Sequence, residues 1–274
     1  MSTNFGIYAL LTGAACAISG IAAAQNDQRL VVPLSDPSRP ARLEINLFSG
    51  DISVEGYDGK EIVIVADAPI HDADKPSPPR ADGLRQIQSS SVGLTVEEND
   101  NVVTVRMDFS PKNADLQIRV PRRTSVKAGL VNGGDVEIDS VTGEHELSNV
   151  NGDVIATDIA GSAVINATNG DVRATFQSVE AMKPMSFTSF NGDVDVTLPA
   201  NIAADLIVGS QQGDVFTDFD VVARTDPPNV QQRGTGPRGG REVRMSHQTR
   251  YAVGGGGSEI RMTTFNGDVM IRKR

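Results

Sequence analysis

One short phrase, Asn-Gly-Asp followed by a β-branched residue, recurs along this chain and restricts its fold more than any other feature. It stands at Asn151-Gly152-Asp153-Val154, Asn169-Gly170-Asp171-Val172, Asn191-Gly192-Asp193-Val194 and Asn266-Gly267-Asp268-Val269. Looser copies are Ser49-Gly50-Asp51-Ile52, Gly133-Gly134-Asp135-Val136 and Gln212-Gly213-Asp214-Val215. Glycine takes positive φ without steric cost and asparagine tolerates it, so each copy predicts a tight turn. A turn that returns at near-constant spacing predicts one turn-plus-strand unit stacked on itself.

The aspartates at 135, 153, 171, 193 and 214 are 18, 18, 22 and 21 residues apart. A second turn lies midway in each of the first two intervals, at Val141-Thr142-Gly143 and Ile159-Ala160-Gly161. The chain therefore reads strand, Gly turn, strand, Asn-Gly-Asp turn. Residues alternating toward a narrow core are Val154 and Ala156, Ala163 and Ile165, Val172 and Ala174, and Val194 and Val196. Such small side chains suit two closely facing sheets. No window shows apolar residues at helical spacing. The predicted fold is all-β: a β-solenoid or β-helix-like stack of short strands, with little or no helix outside a leader.

Residues 1–24 carry no charge and run from an apolar stretch into Ala22-Ala23-Ala24. They read as a secretory signal peptide cleaved after Ala24. The n-region lacks the usual Lys or Arg, and a membrane anchor is the rival reading. The apolar run is shorter than the roughly 20 residues a span needs, so no transmembrane span is expected in the mature chain. Cys16, the only cysteine, lies inside this leader, where lipidation is a further alternative. The expected address is exported: periplasmic, outer-membrane-associated or cell-surface.

Residues 25–40 are expected to be an extended lead-in, and 41–274 a single solenoid domain. Strands are expected at 41–46, 51–55, 61–66, 92–97, 102–108 and 116–120, and again at 242–253 and 259–264. Irregular loops are expected at 69–91, which is rich in proline, and at 220–241, which holds the Arg-bearing Gly stretch 233–241. That stretch lacks the Gly-Lys-Ser/Thr ending of a phosphate cradle and reads as a solvated loop. The chain ends in Arg272-Lys273-Arg274, a charged strand of the kind that protects a sheet edge.

These Asn-Gly-Asp-Val units follow a strand ending in Val120-Pro121 and accompany another ending in Leu198-Pro199. With Gly143 and Gly161, the ordered set resembles the bacterial putative-adhesin family, a domain of unknown function, over roughly residues 41–272. The resemblance implies an extracytoplasmic β-solenoid-like fold in a bacterial envelope. It implies no catalytic residues.

Function classes narrow by exclusion. The formal net charge of −10 disfavours nucleic acid as a partner. Aromatics make up 4% of the chain with no Trp, which disfavours a stacking sugar cleft. His71, His145 and His247 are scattered and read as solvated rather than as a ligand set. Paired carboxylates, as at Glu97-Glu98 or Glu144/Glu146, could be imagined as a glycosidase or lyase site, but no cleft signal accompanies them. The aspartate row invites calcium, yet one carboxylate per turn supplies few of the 6–8 oxygens that calcium takes. No catalytic, cofactor or metal residue is therefore assigned. Asn151, Gly152, Asp153, Asn169, Gly170, Asp171, Asn191, Gly192, Asp193, Gly213, Asp214, Asn266, Gly267 and Asp268 are assigned as structural turn residues. The expected function is a non-enzymatic scaffold or adhesin-like module that binds an envelope partner, protein or glycan, of unknown identity. The alternatives are a polysaccharide-active β-helix enzyme, a calcium-stabilised adhesion module and a self-assembling filament.

Overall fold

The computed structural model describes residues 28–67, 94–107, 115–180, 182–224, 231–233, 242–244 and 249–274. Among them there is no helix, and none is long and apolar enough to cross a membrane. The proposed leader and the 69–91 loop lie outside the described residues.

The first strands are β1 (Gln28–Pro33), β2 (Ala41–Ser49), β3 (Ile52–Tyr57), β4 (Glu61–Asp67), β5 (Leu94–Asn99), β6 (Val102–Met107) and β7 (Asp115–Pro121). The repeat region supplies β8 (Thr124–Asn132), β9 (Val136–Asp139), β10 (Thr142–Asn151), β11 (Val154–Asn169), β12 (Val172–Val179), β13 (Met185–Thr188) and β14 (Val194–Leu198). The last are β15 (Ala204–Gln212), β16 (Val215–Thr217), β17 (Val222–Arg224), β18 (Gln231–Arg233), β19 (Glu242–Arg244), β20 (Thr249–Val253), β21 (Ser258–Asn266) and β22 (Val269–Lys273). A 20-stranded sheet folds over into two faces, and β18–β19 form a separate pair. Within the span expected as one strand over 242–253, two distinct strands are seen, β19 and β20, and they pair with different partners.

On the first face the strands run in the order β5, β6, β2, β8, β10, β11, β13, β21, β15, β20, β17. On the second the order is β1, β4, β7, β3, β9, β11, β12, β14, β22, β16. All pairings between β6 and β15, and between β7 and β16, are parallel. This is the pattern of a solenoid whose coils each place one strand on each face.

Two coils stand out of chain order. The coil β2–β3 lies between β6–β7 and β8–β9, and the final coil β21–β22 lies between β13–β14 and β15–β16. The basic C-terminal strand was expected at an edge. It is instead interior, with parallel partners on both sides, and its side chains are tied down. Arg272 Nε donates to Asp195 Oδ1 at 2.9 Å and Arg274 Nη1 to Asp158 Oδ1 at 2.7 Å. The 25–40 segment is also more than a lead-in, since β1 pairs antiparallel with β4 through six residue pairs.

Alternation with period two sends one apolar row from each face into a thin core. Val154, Ala156, Ala163, Ile165, Val172, Ala174, Val194 and Val196 are all buried. The largest side chains in it are Phe176 and Phe187, both fully buried, with ring centroids 5.9 Å apart and planes at 85°. The midway turns fall only partly where the glycines suggested. The residues with positive φ there are Ser140 (φ 56°), Asp158 (φ 51°) and Gly161 (φ 112°), and β11 bends through Asp158 without ending. Gly161 also serves close stacking: a Cβ there would lie 2.0 Å from the Gly143 carbonyl oxygen.

Candidate functional site

Two regions compete to be the site: the corners marked by Asn-Gly-Asp and the outer surface beside them. The corners were expected to be tight turns, in which both Asn and Gly tolerate positive φ. In the structure Asn151, Asn169, Asn191 and Asn266 all lie outside that region. The phrase makes a corner through which the chain passes from one face to the other, and its side chains bond between coils.

The aspartates form a continuous ladder. Each carboxylate accepts the backbone N–H of the aspartate one coil further on: Asp135 accepts from Asp153 (2.7 Å), Asp153 from Asp171 (2.8 Å) and Asp171 from Asp193 (2.9 Å). The series continues through the interposed last coil. Asp193 accepts from Asp268 and Asp268 from Asp214, both at 2.8 Å. At the other end Asp51 accepts from Asp135 at 2.8 Å, and its own N–H donates to Asp115 at 3.1 Å. Bonds to a charged acceptor are worth roughly 1.5–3 kcal/mol each. Outside this row runs an amide ladder, in which Asn169 donates to Asn151 (2.9 Å), Asn191 to Asn169 (2.8 Å) and Asn266 to Asn191 (2.7 Å).

Glycine is needed between the ladders because the corners stack almost in contact. A Cβ on Gly152 would meet the Gly134 carbonyl oxygen at 2.0 Å. Those carbonyls are capped from inside by a row that the sequence reading did not single out. Asn149 donates to Gly134 O (3.0 Å), Ser189 to Gly170 O (2.8 Å), Thr264 to Gly192 O (2.8 Å) and Ser210 to Gly267 O (2.7 Å). Each donor stands two residues before the Asn or Gln of its corner, and that spacing was the available signal.

This geometry engages the carboxylates in part. One oxygen of Asp51, Asp135, Asp153, Asp171, Asp193 and Asp268 accepts a backbone N–H, and Arg173 bridges the second oxygens of Asp153 and Asp171. Among the described residues no group of three or more His, Cys, Asp or Glu is placed to hold a metal ion. Glu144 and Glu146 sit exposed on the outer first face, paired with Lys183 and Lys127. The Lys183 ammonium holds the Glu144 carboxyl below its usual range. Glu98 is a clamp, accepting Ser35 and Asn101 backbone N–H groups at 3.1 and 2.9 Å. His145, expected to be solvated, is 3% exposed and points into the core. His71 and His247 lie outside the described residues.

The outer surface of the first face is more distinctive. Registered across six consecutive coils are three rows running along the stack. The first is Asn46, Gly129, Ser148, Asn166, Thr188 and Thr263; the second is Phe48, Val131, Val150, Thr168, Phe190 and Phe265. The third is Ser49, Asn132, Asn151, Asn169, Asn191 and Asn266. None of these three rows of six contains a charged residue. Val131, Val150, Phe190 and Phe265 are 39–49% exposed. The Phe190 and Phe265 rings stack at 4.9 Å with planes 11° apart. The remaining outward rows of both faces are charged, with Glu44, Lys127 and Glu146 beside the strip and Glu137, Arg173 and Asp195 on the second face. At 4.7–4.9 Å per coil the strip is about 25 Å long and roughly 10–15 Å wide.

The fold and its corner ladders define the class: a parallel β-solenoid closed by stacked Asn-Gly-Asp corners. The chain belongs to the Toastrack DUF4097 family, whose profile matches residues 12–248. The fold is similar to that of a putative cell adhesion protein from Clostridium sporogenes ATCC 15579, at 11% identity and TM-score 0.45, covering 90% of this chain and 100% of that one. It is also similar to a putative adhesin from Bacteroides fragilis NCTC 9343, at 13% identity and TM-score 0.38, covering 92% and 98%. No curated protein matches the chain.

Proposed function

We propose that this protein is a non-enzymatic, exported binding scaffold of the bacterial envelope, and that it docks its partner on the uncharged strip of the first face. One observation carries this reading. A chain of net charge −10 keeps three adjacent surface rows free of charge over six coils and exposes apolar side chains among them. Apolar side chains exposed together on a surface without charge mark a contact surface. The Asn-Gly-Asp residues serve as the scaffold that sets the pitch of the strip. Export rests on the charge-free leader over residues 1–24. Against the enzyme reading, the candidate carboxylates are exposed and ion-paired rather than facing each other across a cleft. Against the calcium reading, both carboxylate oxygens of Asp153 and Asp171 are engaged, one by a backbone N–H and the other by Arg173.

The test is retention of the purified mature chain on isolated bacterial envelopes. Val150→Glu and Phe190→Glu place charge in the strip and should reduce retention several-fold, while Glu137→Gln on the opposite face should leave it intact. Equal retention of all four proteins would remove the strip from the binding surface.

A further inference from the structure

We infer that the strip's ligand is an uncharged polysaccharide chain lying along the stack axis, an inference that rests on the docking role proposed above. Three properties of the strip select this chemistry. The first is its pitch. Coils repeat every 4.7–4.9 Å, whereas an extended polypeptide presents side chains to one face every 6.6–6.8 Å or so. A peptide therefore drifts out of step within a few coils, while a pyranose unit in an extended glycan is about as long as one coil is thick. The second is its location in the middle of a sheet. The backbone groups beneath the strip are bonded to neighbouring coils, so an added peptide strand finds no unpaired N–H or C=O.

The third is the chemistry of the rows. In the amide ladder Asn169, Asn191 and Asn266 each give one N–H to the neighbouring Asn, and each side-chain amide has a second N–H to offer a ligand. Asn amides on one flank and Ser148 and Thr263 hydroxyls on the other match the hydroxyl-lined edges of a sugar chain. Val150 and the Phe190–Phe265 pair supply apolar ground between them. The two Phe rings stack on each other, so they present ring edges to the ligand. The scarcity of aromatic residues that argues against a stacking cleft does not argue against such a flat track. A neutral strip on a protein of net charge −10 also disfavours uronate-rich chains, which are themselves strongly acidic. The strip's area, on the order of 350 Å², is less than half of the roughly 800 Å² per partner of a standard protein interface, and it suits a narrow polymer instead.

The experiment is native affinity electrophoresis of the mature chain in gels containing a soluble β-linked glucan, a neutral mannan or polygalacturonate. Retardation at least twofold in a neutral gel, absent in polygalacturonate, is expected. Thr168→Asp sets one charge at the centre of the strip on an exposed side chain and should abolish the retardation, with Val150→Asp as a second variant. An unchanged circular dichroism spectrum shows that each variant is folded. Mobility unaffected in both neutral gels, or retardation that survives both substitutions, overturns the inference. If strip-dependent envelope retention persists without neutral-glycan binding, the ligand assignment fails and the docking role stands.

Discussion

His145 should make this protein acid-labile in a defined window. Its ring is buried between registered neighbours Val126 and Ala163, and neither nitrogen completes a hydrogen bond. Burial pushes its pKa down from 6.5 to about 4, partly offset by the Ala160 and Val141 backbone groups facing the ring. The unfolded chain keeps the ordinary value near 6.5. Between these two values the unfolded chain takes up a proton that the folded chain refuses. Stability is therefore full above about pH 6.5 and is lost as pH falls toward 4. At about 1.4 kcal/mol per pH unit, the gap corresponds to roughly 3 kcal/mol. His145→Leu keeps the volume, removes two unsatisfied nitrogens and removes the titration. Urea unfolding of both proteins at pH 7.5, 6, 5 and 4.5 should give a stability difference that grows in the variant's favour by about 2–3 kcal/mol as the pH falls. Every group other than His145 is common to both proteins and cancels in that difference. A difference that stays constant with pH refutes the reasoning.

Further outcomes follow from the corners and the coil order. Gly152→Ala must move a Cβ 2.0 Å from the Gly134 carbonyl oxygen, and urea unfolding should show a loss of at least about 2 kcal/mol. Asp171→Ala leaves the Asp193 N–H without its acceptor and frees one arm of Arg173, for a loss of about 1–3 kcal/mol by the same measurement. Truncation after Gly257 extracts an interior coil and breaks two interfaces at once, so the shortened chain should lose cooperative thermal unfolding rather than show a modestly lower midpoint.

The repeat and the alternation were legible because both are local. A period of two along β11, β12 and β14 fixes which side chains face inward whatever lies alongside. The corner phrase marked the stacked unit, although its glycines answer to the neighbouring coil more than to their own turn. What could not be read is the order of coils. Steps of 18, 18 and 22 residues do correspond to neighbouring rungs of the Asp ladder, but the next rung after Asp193 is Asp268, far along the chain. Spacing says how long a coil is and nothing about which coil it lies against. The same limit applied to the basic tail, where Arg272 and Arg274 are anchors inside the stack. The uncharged strip was also out of reach, because it exists only once six separate segments are in register. His145 was legible in retrospect, two residues before the inward Leu147 on an alternating strand.

The position of the last coil bears on how a single chain reaches this state. Synthesis follows chain order, yet the segment that must join β13–β14 to β15–β16 is made after both of them. Until it emerges, a nascent chain carries two open parallel edges that face each other and lack the partner between them. Such edges are receptive to the same segment from another copy. The finished stack encloses residues 258–274, but the unfinished one advertises a gap, and slow entry of that segment favours exchange between copies.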